Sequence, residues 1–237
     1  MTYNVHSCVG NDGQLSVERV AEVIRALAPD VVALQEVDVK QHRSGRVDQS
    51  ERLAARLGMN HLFSSARDTD GGHYGNAILS RYPLTTVRDE RLPARAGGRL
   101  LEPRAAQRVR IDVGSQEVHL MNTHLSLDRH ERRHQVEALL GSSWIRHPDF
   151  AAPLMICGDF NSTPWSGVYR AMSRHLQDAR PGWLTRFRAT FPSFLPILTL
   201  DYVFTSPGVY VRGTKVPWTR ETRLASDHLP LMVDVSL

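Results

Sequence analysis

The apolar positions recur in two rhythms along the chain, and these separate strands from helices. TYNV opens as a short strand. Ser16 then caps a predicted helix in which Val17, Val20, Ala21, Ile24 and Leu27 share one face. DVVALQ, bounded before it by Pro29, reads as a buried strand. Ser50 starts a second predicted helix through ERLAARL, and Gly58 stops it. NAILS, LTTVR, AAQRVRIDV and EVHLMNT follow as strands separated by turn residues. Residues 129–146 form a predicted helix with Val136, Leu139 and Leu140 facing inward. PLMIC is another buried strand, a short helix lies near 165–173, and LDYVF, VYVRGTK and LPLMVDVSL close the chain. Two β-rich halves, each carrying helices, predict an α/β (α+β) fold of two sheets packed face to face with helices outside. No repeat or Pro/Ser linker splits the sequence, so 1–237 reads as a single domain.

Composition narrows the class without naming a function. Of the 237 residues, 41% are hydrophobic and 23% charged, which excludes disordered and fibrous chains. The longest apolar runs fall far short of the ~18 residues of a membrane span. Met1 runs straight into TYNVH, with no secretory signal. The two cysteines, Cys8 and Cys157, cannot build a disulfide scaffold and suit a reducing compartment; the expectation is a cytoplasmic monomer. Net charge is +4, carried almost wholly by arginine, with lysine only at positions 40 and 215. Arginine forks onto phosphate better than lysine does, but codon bias in a GC-rich genome is the favoured reading of the excess.

The candidate chemistry collects where strands end, the place at which a rigid scaffold presents reactive groups. Asn4 ends the first strand and Glu36 follows DVVALQ. Asn122 and His124 end EVHLMNT. Asp159 and Asn161 follow LMIC, Asp201 opens LDYVF, and Asp227-His228 precedes the last strand. Taken singly these are ordinary: asparagine is common in turns, GDFN fits an Asx-turn, and DHLP is a turn before a strand. Taken together, carboxylates and amides suit Mg²⁺ or Mn²⁺ rather than zinc. A hard cation, a carboxylate base and histidine donors suit phosphoester hydrolysis.

In order the chain carries TYNVH, LQEV, GNAILSRYPL, NTHLS, GDFNSTP, LDYVF and SDHLP. That series resembles the endonuclease/exonuclease/phosphatase superfamily of metal-dependent phosphohydrolases. The superfamily includes pancreatic-type deoxyribonucleases, abasic-site endonucleases, neutral sphingomyelinases and inositol-polyphosphate 5-phosphatases. The resemblance runs from Asn4 to His228, and GDFN and SDHLP are its most specific pieces. It implies a four-layer αββα sandwich with one cleft at the sheet ends. It implies Glu36 as the main metal ligand with Asn4 beside it, and Asp227 as a metal ligand or histidine support. Asp159 is then the base or water-orienting carboxylate and Asn161 its positioner. His228, held by Asp201, meets the scissile phosphate, and His124, preceded by Asn122, is a second catalytic histidine. One metal ion or two is left open. The chain departs from the superfamily in its very short first strand, which leaves open whether that strand starts upstream of Met1. His124 also lacks an evident carboxylate partner.

Further residues have a functional and an ordinary reading. Arg104, in LLEPRAAQRV, sits where superfamily members carry a basic or aromatic residue, and could grip phosphate or be an exposed strand-edge arginine. Asn76 and Tyr74 lead into NAILS, at the cleft wall or in a turn; with Arg104 and Asn122, Asn76 is a substrate-contact candidate. Arg129–Arg133 reads as a solvated helix face. His130 and His134 lack a third ligand, and Cys8 and Cys157 read as buried, inert thiols. Segment 183–198, WLTRFRATFPSFLPIL, is irregular at Pro192 and Pro196 and mixes aromatics with arginine. It either seats the apolar part of a substrate or closes the core under a loop. The leading expectation is an Mg²⁺- or Mn²⁺-dependent phosphodiesterase or phosphatase, in which water attacks a small-molecule or phospholipid-headgroup phosphate. A DNA nuclease is the alternative, and a catalytically dead binding module the third.

Overall fold

The computed structural model describes residues 1–69, 71–94, 102–145, 153–180 and 189–237. Two sheets carry the fold. The first has strands β1 (Thr2–Asn4), β2 (Val31–Val39), β3 (Asn60–Thr69) and β4 (Gly72–Ser80) in the order β1-β2-β4-β3. The second has β5 (Leu84–Arg91), β6 (Ala105–Val113), β7 (Gln116–His124), β8 (Leu154–Asp159), β9 (Gln177–Asp178) and β10 (Asp201–Thr205), in the order β5-β6-β7-β8-β10-β9. Both are mixed: β1 runs parallel to β2 and β7 parallel to β8, and the other pairs are antiparallel. The closing strands β11 (Tyr210–Lys215) and β12 (Met232–Ser236) pair with each other.

Three apolar clusters make the layers. Ala33 and Ile78 of the first sheet meet Val109, Ile111, Leu120, Cys157 and Val203 of the second. On the outer face of the first sheet, Val20, Ala21 and Ile24 of α1 (Val17–Leu27) and Leu53 of α2 (Gln49–Leu57) bury against Leu34 and Leu79. On the outer face of the second, Val136 and Leu139 of α3 (Arg129–Leu139) and Met172 of α4 (Gly167–Ser173) pack on Ile156, Tyr202 and Phe204. The order helix, sheet, sheet, helix is the predicted sandwich. Among the described residues, no helix is long and apolar enough to cross a membrane.

Local chemistry explains the ends. Ser16 Oγ accepts the Arg19 N–H at 3.1 Å and starts α1 as expected. The start of α2 differs from expectation: Asp48 is the cap, accepting from Glu51 N–H at 3.0 Å, and Ser50 lies inside the first turn. Gly58, with φ of 65°, closes that helix. The helix α3 stops at Leu139 rather than at 146, because Gly141 and the serines after it favour turns over helix; residue 146 lies outside the described set. Neither β3 nor α5 (Arg220–Ala225) was expected. The strand β3 carries polar residues without clean alternation, and α5 is six residues opened by a Thr219–Thr222 capping box.

Candidate active site

Strand register assembles the centre. His124 of β7 is paired across from Asp159 of β8, and Asp159 across from Asp201 of β10, so three strand ends set three polar side chains in one row. Adjacent strands lie about 4.8 Å apart. Gly158 permits this closeness: its φ is 140°, and a Cβ there would sit 1.8 Å from the Thr123 carbonyl oxygen. Just after β8 the chain makes the Asx-turn that GDFN suggests, with Asn161 N–H donating to Asp159 Oδ1 at 2.8 Å and Asn161 itself at a φ of 47°. Turn chemistry and site chemistry are therefore the same feature here.

His228 arrives from the loop before β12. Ser226 fixes that loop by donating to the Asn4 carbonyl at 2.7 Å and accepting the His228 N–H at 3.2 Å. His228 Nδ1 then lies 2.9 Å from Asp201 Oδ2, Nε2 lies 3.6 Å from Asp159 Oδ2, and the Phe191 ring covers the imidazole at 4.8 Å. Burial opposes a charge on His228, but the Asp201 and Asp159 carboxylates outweigh it and hold the ring's pKa well above its ordinary value. Burial pushes Asp159 the other way from a free carboxylate, upward, with His228 pulling it back.

Glu36 reaches the site through a defect in its strand. The β2–β4 register shifts between Leu34 and Val37, a bulge that leaves Glu36 at a φ of 59°. Such a conformation in a non-glycine residue costs on the order of 1–3 kcal/mol and persists where surroundings enforce it. Asn4 enforces it: its Nδ2 donates to Glu36 Oε1 at 3.0 Å and to Asp159 Oδ2 at 3.1 Å. One amide thus joins the two sheets at the cleft. Behind it, Gln35 Nε2 donates to Asn122 Oδ1 at 2.7 Å, and Asn122 Nδ2 donates to the Leu34 and Ala77 carbonyls.

Glu36, His124, Asp159, Asn161, Asp227, His228 and Arg104 all line one cavity of about 520 Å³. Asn4 and Asp201 stand directly behind that wall. Asn122 and Asn76 differ from their expected place as substrate contacts. Asn122 is fully buried with its amide engaged between the sheets, and Asn76, 2% exposed, donates to the Ala105 carbonyl at 3.0 Å; both hold strands rather than face the cavity. His124 finds an arginine where a carboxylate partner was sought. Arg104 Nη1 lies 3.1 Å from Nδ1, so donor groups face the ring where a carboxylate was sought. Nε2 lies 3.5 Å from Asp159 Oδ2 and 3.1 Å from Asn161 Nδ2. Burial, Arg104 and His228 together press the His124 pKa well below its usual value.

The cavity also has residues that sequence reasoning missed: His6, Ser7, Asp38, Arg43, Glu102 and Leu127. The available signal was Asp38, an acid inside the apolar strand Val31–Val39 that requires a buried cation as partner. Of segment 183–198, residues 183–188, including Trp183, Arg186, Phe187 and Arg188, lie outside the described set. In the remainder Ala189, Thr190 and Ser193 are buried, Phe194, Leu195 and Ile197 at the hairpin tip are each more than half exposed, and Phe191 lies in the cavity wall, so Phe191 and Phe194 do not close the core.

Known proteins are similar to this chain in sequence and in fold. The chain is 26% identical to the Escherichia coli K12 protein YbhP over 254 aligned residues, spanning 100% of this chain and 95% of that one. It is 26% identical to a solved endonuclease/exonuclease/phosphatase from Beutenbergia cavernae, with a TM-score of 0.74 and coverage of 100% of this chain and 70% of that chain. A mannosyl-6-phosphatase from Bacteroides thetaiotaomicron shares the fold at 19% identity, with a TM-score of 0.76 and coverage of 100% and 98%. The sequence profile of the endonuclease/exonuclease/phosphatase family matches residues 1–228. With its register-aligned row of acid and histidine side chains, the chain belongs to the endonuclease/exonuclease/phosphatase family, whose members hydrolyse phosphoesters.

Proposed function

We propose that this protein is a divalent-metal-dependent phosphodiesterase or phosphatase of small-molecule or lipid-headgroup phosphates. The observation that carries the reading is the row His124, Asp159 and Asp201, with His228 and Glu36, around a single cavity. The residues present fit a hard cation. Glu36 has one oxygen engaged by Asn4, and its second accepts no hydrogen bond among the described residues; Asp227 adds another carboxylate at the rim, and both offer oxygen. Glu36, with Asp227 and Asn4, would hold Mg²⁺ or Mn²⁺, which supplies Lewis acidity to a phosphoryl oxygen.

The remaining work falls to the chain's own residues. Asp159, its proton affinity raised by burial, accepts a proton from the attacking water at Oδ2. The water oxygen bonds to phosphorus as the ester P–O bond breaks. Asn161 orients the water beside Asp159. The charged His228 donates from Nε2 to a phosphoryl oxygen, with Asp201 fixing Nδ1–H. His124, kept neutral by burial and Arg104, flanks Asp159 on the other side, 3.5 Å from its Oδ2. Leu15, Leu127, Phe191 and Leu200 give the cavity apolar walls, and about 520 Å³ is the size of a small-molecule pocket. The exposed apolar hairpin beside it suits a lipid headgroup or small ester better than a duplex, which needs many phosphate contacts along a groove.

The test is a hydrolysis panel with Mg²⁺ and Mn²⁺ containing inositol phosphates, glycerophospholipids, sphingomyelin, bis-p-nitrophenyl phosphate, abasic oligonucleotide and plasmid DNA. Turnover of the small or lipid esters should vanish in EDTA, return with either metal, and be lost in Glu36→Gln. Full activity in EDTA or in Glu36→Gln overturns the metal assignment. Cleavage of abasic or single-stranded DNA with kcat/KM well above every other substrate establishes a nuclease instead.

A further inference from the structure

The cavity has a second polar wall that the hydrolytic centre does not use. Arg43 lies in the single helical turn His42–Ser44 that follows β2. Its Nε donates to Asp38 Oδ2 at 2.8 Å and its Nη2 to Asp38 Oδ1 at 2.7 Å, a two-pronged clamp on a carboxylate that is itself fully buried. A third bond, Nη2 to Ser7 Oγ at 3.0 Å, fixes the plane of the guanidinium. Ser7 is presented by three consecutive left-handed residues, His6, Ser7 and Cys8, whose turn is held by His6 N–H donating to Asn4 Oδ1 at 3.1 Å. The guanidinium also rests over the Tyr74 ring, 5.4 Å from its centre. Nη1, with two N–H groups, has no protein partner among the described residues, and the side chain is 53% exposed in the cavity wall.

Two more arginines surround the same tyrosine. Arg67 lies 5.8 Å from the ring centre, and Arg104, 5% exposed, pairs with Glu102 at 2.9 Å while its buried Nε has no hydrogen-bond partner. In the cavity wall Arg43 and Arg104 balance the carboxylates Asp38 and Glu102, and Arg67 adds a further positive charge beside the tyrosine. Asp38 is two residues beyond Glu36 on β2, about 7 Å along an extended strand. The wall and the hydrolytic centre therefore lie within the span of one small molecule.

We propose that Arg43, clamped by Asp38 and Ser7 and stacked on Tyr74, is a second oxyanion subsite. It receives a phosphate or carboxylate on the same substrate whose scissile phosphate lies against Asp159 and His228. The inference rests on the phosphoesterase reading and adds a substrate class to it: esters with two anionic groups separated by a short linker. A guanidinium already held in place loses little entropy on binding, so its unused donor edge discriminates a dianionic substrate from its single-phosphate counterpart. Charge-assisted hydrogen bonds of this kind are worth roughly 10- to 100-fold in affinity.

The test separates binding from turnover. Non-hydrolysable propane-1,3- to hexane-1,6-bisphosphonates are titrated by calorimetry in the presence of Mg²⁺, against propylphosphonate. At least one length should bind at least 10-fold more tightly than the monophosphonate. That margin should fall below threefold in the double variant Arg43→Gln/Asp38→Asn, which removes both charges together and leaves no buried carboxylate alone. Ser7→Ala, which loosens the guanidinium without removing it, should retain part of the margin. No margin at any length, or a margin that survives in a double variant shown by melting to be folded, overturns the subsite. If the margin is present but no phosphoester in the hydrolysis panel is turned over, the phosphoesterase reading fails on its own. Phosphatidylcholine vesicles carrying phosphatidylinositol 4-phosphate or phosphatidylinositol supply the lipid arm. A margin there exceeding that of the free bisphosphonates assigns the second anion to a headgroup, and the reverse assigns it to a soluble ester.

Discussion

Asp201 and Asp38 are both fully buried carboxylates on strands, one in each sheet, and each holds a cation against the same cavity. Asp201 makes one short bond, Oδ2 to His228 Nδ1 at 2.9 Å, and its Oδ1 is buried without a hydrogen-bond partner. Asp38 uses both oxygens on Arg43. Their cations differ in the property that matters for chemistry. An imidazole can release its proton, so its charge depends on the neighbouring carboxylates. A guanidinium keeps its charge at any working pH. Burial differs with it: His228 is 5% exposed, whereas the Arg43 side chain is half open. A nearly dry, singly tethered ring suits a group that meets charge developing in a transition state. A wet, doubly tethered fork suits a group that recognises charge already present in the ground state.

The comparison breaks most visibly in kinetics. His228→Ala and Asp159→Asn should each lower kcat on the order of 10²–10⁴-fold with KM changed far less. Asp201→Asn should give a smaller loss of the same kind, on the order of 10²-fold, because the ring stays in place without the carboxylate that supports its charge. Variants at Arg43 should act chiefly on KM for dianionic esters. Steady-state kinetics on a single purified preparation of each variant decides the matter. A His228→Ala enzyme with near-normal kcat, or one whose deficit lies wholly in KM, removes the distinction between the two walls.

Stability offers a second, smaller contrast. Arg43→Met leaves the Asp38 carboxylate buried with no cation, and about 1–3 kcal/mol of destabilisation is expected, moderated because Arg43 itself is half exposed to solvent. Adding Asp38→Asn should return most of that loss. Urea unfolding of the single and double variants gives the coupling directly, as a double-mutant cycle. Additive effects at the two positions would show that the clamp seen in the structure contributes nothing in solution.

The two walls also differ in how far the sequence discloses them. Asp159, Asn161, Asp201 and His228 follow or precede apolar strands, and strand ends can be read from alternation alone. The apolar runs at β2, β4, β7, β8 and β10 are unmistakable for the same reason, and they fix the sandwich. Arg43 sits in HRSGR, which has the composition of a solvated turn, and nothing in its neighbours marks it as stacked on a tyrosine 31 residues later. Its partner Asp38 is the second acid in VVALQEVDV, and its place inside an apolar strand calls for a partner cation without saying which. The bulge that turns Glu36 into the cavity is a register shift between strands, a tertiary property with no local sequence signal. Asn122 and Asn76 were misplaced by the same limit: an asparagine beside a site motif can contact substrate or tie strands, and only the strand pairing distinguishes them.

The smallest expected effect is an absence of reaction, and it tests whether proximity to the site is enough to charge a group. Cys8 lies two residues beyond His6 and Cys157 two residues before Asp159, so both thiols are neighbours of cavity residues in sequence. Both cysteines are buried and free, and Cys157 Sγ donates to the Met121 carbonyl at 3.5 Å. Burial raises the Cys8 pKa far above that of an ordinary thiol, with Asp38 adding repulsion, and pushes Cys157 up to about 12. The thiolate is the reactive form, and at pH 8 neither residue supplies it. The native protein should therefore leave Ellman's reagent unreacted over an hour at pH 8, and release two equivalents of thiol signal once unfolded in guanidinium. Rapid modification of one equivalent in the native state would show a thiolate stabilised beside the cavity. It would also mean that the site's positive groups reach beyond the carboxylates that now hold them.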